Sequence, residues 1–187
     1  SGAFGGAIAN PINILCSMVA QLHDKNGKVT VPGFYAGVKP PSKWERAQFR
    51  KLPFKEAQYK KMLGIPALHG EKGFTTYERS WSRPTLDVNG ITGGYQGEGA
   101  KTIIASKASC KITMRLVQGQ KPMDVCNKLE RYLRKLAPKS VRIKVDKHGG
   151  ARAVQVPVEG PWLEAAGRAV EAGFGKKPVF IKEGGSI

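Results

Sequence analysis

The run Gly93-Gly94-Tyr95-Gln96-Gly97-Glu98-Gly99-Ala100-Lys101-Thr102 is rich in glycine and ends in Lys-Thr, the composition of a phosphate-cradling loop. Such a loop needs glycine directly before Lys-Ser/Thr and a helix afterwards, because backbone amides and the helix N-terminus hold the phosphates together. Ala100 intervenes here, and Ile103-Ile104-Ala105 reads as a strand. The run is therefore read as a loop offering Lys101 or Thr102, or as a plain turn, rather than as a nucleotide site. Arg115 falls on the outward face of an alternating segment, where a guanidinium either presents a bidentate fork to a carboxylate or is simply solvated. His148 stands in Lys147-His148-Gly149-Gly150, whose glycines permit close backbone approach to a ligand, although an exposed turn histidine fits equally well. Ser186, in Gly184-Gly185-Ser186, could donate from its hydroxyl or amide, or be an ordinary turn serine.

Other chemistries are excluded by spacing. His23, His69 and His148 form no HxH, HxxxH or HExxH pair, so a metal site built wholly from this chain is not expected. The serine-hydrolase pattern GxSxG is absent. Cys16, Cys110 and Cys126 are widely separated and give neither a CxxC knuckle nor a disulfide framework, which suits free thiols in a reducing compartment.

The elements that must carry these groups follow from periodicity. Ile8, Ile12, Leu15, Val19 and Leu22 recur at spacings of three and four across 6–23, an amphipathic helix with Pro11 near its first turn. Asp24-Lys25-Asn26-Gly27 is a turn, and 28–31 is a short strand stopped by Pro32-Gly33. Segment 34–76 changes character: Trp44, Phe49, Leu52 and Phe54 sit among many charges and are interrupted by Pro53, Gly64 and Pro66, which reads as a helical insertion with a solvated basic face. Segments 85–91, 100–105 and 108–117 are β-rich, and the last alternates Cys110, Ile112, Met114 and Leu116 against Lys111, Thr113 and Arg115. Helical periodicity returns over 121–136 and stops before Pro138; Val141, Ile143 and Val145 then alternate as a strand. A helix over 161–172 and a short strand over 179–181 end the chain. Strand, strand, helix, strand, with the first helix nearby, gives an α+β fold: an antiparallel sheet covered on one side by two helices.

With 187 residues, 41% hydrophobic and 24% charged, the chain suits one globular domain with an appendage. No run reaches the roughly 20 apolar residues of a membrane span, so a membrane partner is not expected. The net charge of +17 is the one compositional extreme and raises a second class of function, a basic α+β module for RNA or DNA. Against it, the expected sheet lacks the aromatic signature of RNA-binding sheets, and Lys and Arg are scattered rather than concentrated. Nucleic acid is therefore the alternative partner, not the expected one. The first residues, Ser1-Gly2-Ala3-Phe4-Gly5-Gly6, and the last, Glu183-Gly184-Gly185-Ser186-Ile187, are motif-like segments lacking flanking sequence, so the chain reads as an internal piece of a larger protein.

Five segments in order, Ser1 to Gly6 followed by Asn10-Pro11, Gly99 to Ile104, Ile112 to Val117, His148 to Gly150 and Glu183 to Ile187, resemble the carnosinase-like branch of the metal-dependent peptidases. That group includes cytosolic dipeptidases, aminoacylase and succinyl-diaminopimelate desuccinylase. The resemblance implies that residues 1–160, with the 34–76 insertion, form the lid and dimerisation domain, a ferredoxin-like four-stranded antiparallel sheet with two helices on one face. Residues 161–187 would lead back into a catalytic domain carrying two divalent metals, zinc or manganese. It further implies a cytoplasmic homodimer acting on a small peptide or acyl-amino-acid substrate. Thr102 resembles the residue that reaches into the partner subunit's active site, Arg115 the one that binds the substrate carboxylate, and His148 and Ser186 two further substrate contacts. The family's lid histidine, metal ligands and general-base glutamate have no counterpart here, so the chain alone is expected to be inactive. Lys182 stands where relatives often carry arginine.

Overall fold

A computed structural model of the chain describes residues 2–184. After a short 3-10 turn at Gly2–Phe4, the elements in order are α1 (Pro11–Ala20), α2 (Lys43–Arg50), α3 (Glu56–Leu63), α4 (Thr76–Trp81), β1 (Thr85–Gly93), β2 (Ala108–Arg115), α5 (Pro122–Leu136) and α6 (Pro161–Phe174). Their starts are chemically specified. The Asn10 side chain accepts the Ile12 amide at 3.0 Å, and prolines open α1, α5 and α6, where no intrahelical donor is lost. Ser42 with Glu45 caps α2, and Thr75 with Glu78 caps α4, each pair satisfying two orphan amides reciprocally.

β1 and β2 pair antiparallel, with Leu86 opposite Met114, Val88 opposite Ile112, Ile91 opposite Cys110 and Gly93 opposite Ala108. The register shifts between Val88 and Gly90, so the bulge at Asn89 changes which positions of β1 sit opposite the half-buried set of the strictly alternating β2, Leu86 and Val88 before it and Ile91 and Gly93 after it. Gly93 thereby faces α1 with no room for a side chain: a Cβ there would lie 3.0 Å from the Ala108 Cβ and 3.1 Å from Ile12 Cγ1. Leu22, Val29, Val31, Phe34, Leu86, Val125 and Leu129 form the core, and Ile112, Met114, Tyr132 and Leu133 pack around it. The apolar stripe of α5 and the underside of the hairpin thus close on the 22–35 loop. Gln120 seals one edge: its Nε2 donates to the Phe34 carbonyl at 2.7 Å while its Oε1 accepts from the Val117 amide at 2.9 Å.

The α+β class agrees with the sequence, but the sheet does not reach the expected four strands. Among the described residues it has two. Segment 28–31 contributes only an isolated His23–Val29 bridge. Segment 100–105 is irregular backbone, as is 179–181. Segment 141–145 keeps the alternating burial expected of it but lies along α5, where Arg134 Nη1 donates to the Ile143 carbonyl at 3.4 Å, and makes no ladder. Alternation records which side of an extended chain is covered; a strand also needs a neighbouring backbone in register.

The insertion is helical, as its sequence implies, and its lysines and arginines are mostly exposed, while its aromatic residues pack with those of α4. Phe49, Phe54, Tyr59, Tyr77 and Trp81 form a continuous aromatic cluster, with Tyr77 stacked on Trp81 at 4.3 Å and Phe49 edge-on to Trp81 at 5.1 Å. Arg83 and Glu71 pair bidentately at 2.7 and 2.8 Å, and the guanidinium lies between the rings of Tyr35 and Phe74, 4.7 and 4.4 Å away. This pair ties the end of the insertion to the core loop just before β1.

Candidate functional site

The hairpin sorts the sequence-predicted site residues to two ends of the molecule. Thr102 lies exposed in the long β1–β2 loop, at the end where Ile12 of α1 meets Gly93. That loop is folded on itself: Gln96 Nε2 donates to the Gly93 carbonyl at 2.7 Å, the Tyr95 hydroxyl donates to the Glu98 carbonyl at 3.0 Å, and the Lys101 ammonium lies 5.4 Å from the Tyr95 ring centroid. Arg115 ends β2 at the opposite end, paired with Thr85. From Ala108 to Arg115 the strand itself spans about 24 Å, at about 3.4 Å per residue, and Thr102 lies in the loop joined to its far end.

Arg115 is exposed, and among the described residues its guanidinium makes no ion pair or side-chain hydrogen bond. Its fork is left for an external acceptor. His148 comes to the same end, because Gly150 packs where a Cβ would sit 3.5 Å from Pro122 Cβ at the start of α5. The approach to His148 is pinned by Lys147, whose Nζ donates to Asn127 Oδ1 and to Glu130 Oε2, both at 2.8 Å. The Lys147 ammonium and the Arg134 guanidinium hold the Glu130 carboxyl below its ordinary range.

The stretch before Ser186 reaches this end as well. Gly184 abuts Ser80 and Trp81 of α4, four residues before the Thr85 that pairs with Arg115. Ser186 itself lies outside the described residues. The arrangement can therefore present one unpartnered cation, an imidazole and a glycine backbone at one end, with a Lys-Thr loop at the other.

No group of three His, Cys, Asp or Glu among the described residues could hold a metal ion. Its three histidines are dispersed, so the donor set does not fit a resident cation. No helix among them is long and apolar enough to cross a membrane. The residues that sequence reading missed are Glu45, Glu78, Glu71 and Arg83. For the first two a signal existed, since Ser42-Lys43-Trp44-Glu45 and Thr75-Thr76-Tyr77-Glu78 both read as capping boxes.

Comparison with known proteins gives a consistent outcome. The family described as Peptidase dimerisation domain matches residues 1–141. The chain is 28% identical to the Cys-Gly metallodipeptidase DUG1 of Saccharomyces cerevisiae, covering 100% of this chain and 40% of the relative. It is 26% identical to the Beta-Ala-His dipeptidase of Rattus norvegicus, covering 100% of this chain and 39% of the relative. Among solved structures, the M20 family metallo-carboxypeptidase Sso-CP2 of Sulfolobus solfataricus superposes with a TM-score of 0.84 at 28% identity, over 98% of this chain and 42% of that one. The chain thus spans about two fifths of the length of the relatives it matches.

Proposed function

This chain belongs to the Peptidase dimerisation domain family, and from that premise we propose that it is the lid and dimerisation domain of a cytoplasmic two-metal dipeptidase or carboxypeptidase-like hydrolase. The observation that carries the reading is the separation of the two ends. Arg115, unpartnered, offers a bidentate fork for a substrate carboxylate, with His148 as a further contact at that end and Ser186, outside the described residues, as another substrate contact. Thr102 lies in the loop at the far end of the roughly 24 Å strand β2, and in this reading it serves a substrate in the active site of a second subunit. The exposed Ile91, Tyr95 and Ile103 around its loop, and Phe4 and Ile8 before α1, give that end an apolar surface suited to a partner copy.

Zinc or manganese, supplied by a catalytic domain in further sequence, would activate the attacking water; this chain's residues hold and orient the substrate. Residues 161–187 lead into that domain in this reading, and the bare Trp162 and Phe174 of α6, 87% and 81% exposed, support a covering partner for it. The four-stranded form of the lid sheet belongs to the same proposal, with the alternating 141–145 segment as a further strand.

The test is to assay dipeptides and acyl-amino acids, with zinc or manganese added, using this chain and a polypeptide extended by its flanking sequence. Only the extended form is expected to turn over substrate. In it Arg115→Ala raises KM by about 10- to 100-fold, the loss of one charge-assisted pair, while leaving Tm unchanged because Arg115 holds nothing within the chain. Turnover by this chain alone, or an unaltered KM in the variant, overturns the proposal.

A further inference from the structure

The last described residues are not in a strand, yet they alternate regularly in burial: 178, 180, 182 and 184 are half-buried, while 179, 181 and 183 are exposed. The covered side faces the helical insertion. The Phe180 ring packs on Trp44 of α2 at 5.5 Å, and its amide points to Gln48 Oε1 at 3.5 Å. Lys182 Nζ lies 2.5 Å from Glu45 Oε1. A Cβ on Gly184 would run into the Ser80 carbonyl oxygen of α4 and lie 3.7 Å from Trp81 Cδ1. Four contacts of different physical kind, aromatic, hydrogen-bonding, ionic and steric, thus dock one edge of an extended segment onto two helices.

The glutamate in the first turn of α2 holds that dock directly, and the one in the first turn of α4 ties α4 to α2. Glu45 uses Oε2 to accept the Ser42 amide at 2.6 Å and Oε1 to hold Lys182. Glu78 uses Oε2 to accept the Thr75 amide at 2.7 Å and Oε1 to face Arg46 Nε at 2.9 Å, an ion pair off the line that a hydrogen bond requires. Arg46 is the sequence neighbour of Glu45 on α2, so one ion pair joins α4 to α2 and a second joins α2 to Lys182. Burial pushes the Glu45 carboxyl up, but the Lys182 ammonium and the Ser42 amide outweigh it and hold it below the ordinary range.

We propose that the helical insertion and the adjoining α4 together clamp Phe180–Gly184, with Glu45 as a positioning residue that latches Lys182 and so fixes the direction of the Glu183-Gly184 backbone relative to Arg115. This deepens the proposed function, because it assigns the insertion a role in setting the substrate end. The latch is a partly buried ion pair, its side chains 30% and 15% exposed, that holds one short segment rather than the core, so its contribution to global stability is modest. Its loss is therefore read in local geometry. With no ladder hydrogen bonds to hold the segment, side-chain docking alone decides where it lies.

Amide hydrogen exchange on the 187-residue chain tests the clamp directly. Lys182→Met keeps the aliphatic stem and leaves the α2 capping box intact; it is expected to speed exchange of the 180–184 amides by about tenfold with Tm within about 2 °C of the parent, whereas Lys182→Arg keeps the protection. Gly184→Ala, which attacks the steric contact alone, is expected to do the same as Lys182→Met. Exchange within about twofold of the parent in both Lys182→Met and Gly184→Ala overturns the clamp. In the extended polypeptide, Lys182→Met is expected to raise the KM for a dipeptide about tenfold with kcat changed less than about threefold, and Lys182→Arg to restore it. Faster exchange with an unchanged KM removes the link to substrate, whereas an extended polypeptide with no peptidase activity removes the proposed function and leaves the exchange result to decide the clamp.

Discussion

Glu71→Gln tests how the insertion is fastened to the lid. The Arg83 and Glu71 side chains are only 10% and 12% exposed, both carboxylate oxygens are engaged, and both flat faces of the guanidinium are covered by rings. The amide keeps the volume but removes the countercharge and turns an NH2 toward donors. It leaves a largely buried cation without its countercharge, which costs about 3–5 kcal/mol. At about 2–4 °C per kcal/mol for a chain of this length, Tm falls by about 6–20 °C. Urea unfolding at pH 7, followed by far-UV circular dichroism, is expected to show a lower midpoint with an unchanged slope. The double variant Glu71→Leu with Arg83→Met removes both charges and is expected to recover most of the loss, since apolar replacements of buried pairs are often near neutral. A Glu71→Gln chain within about 1 kcal/mol of the parent, or a double variant no better than the singles added, would refute the reasoning.

Two further outcomes follow from the geometry. Gly93→Val places branched carbons against Ile12 and Ala108, so it should cost about 1–3 kcal/mol in urea unfolding and loosen α1, whereas Gly90→Val in the same strand, where a Cβ would meet only Lys111 Cδ at 3.9 Å, should cost less. The Glu130 carboxyl is held below the ordinary carboxylate value of 4.5 by Lys147 and Arg134, so its contribution is full above that pH and is lost as acid takes the solution through its lower folded value. Limited proteolysis at 146–152 should therefore stay constant from neutral pH down to about 4.5 and accelerate below it, and Glu130→Gln should show the accelerated rate at every pH.

The local patterns in the sequence were sufficient for α1, α5 and α6 and for the strands β1 and β2, though not for their pairing or for the separate helices α3 and α4. Spacings of three and four placed α1, α5 and α6, and strict alternation in 108–117 placed β2 with Arg115 outward, because a single element's buried stripe is written in its own residues. The candidate residues Thr102, Arg115 and His148 were named from the sequence too, through their resemblance to a family, but the sequence did not reveal that they divide between opposite ends. That division comes from the strand between Thr102 and Arg115 and from the packing of Gly150 on Pro122.

Tertiary structure alone decided which extended segments became strands. Segments 28–31, 100–105 and 141–145 carry apolar residues suited to a sheet, yet the described chain gives them no backbone partner in register, and no one-dimensional pattern encodes that partner. The docking of Phe180 to Gln48, 132 positions apart, was equally invisible. A glutamate in a capping box announces a helix start within four residues, but the cation it holds with its second oxygen is chosen by the fold.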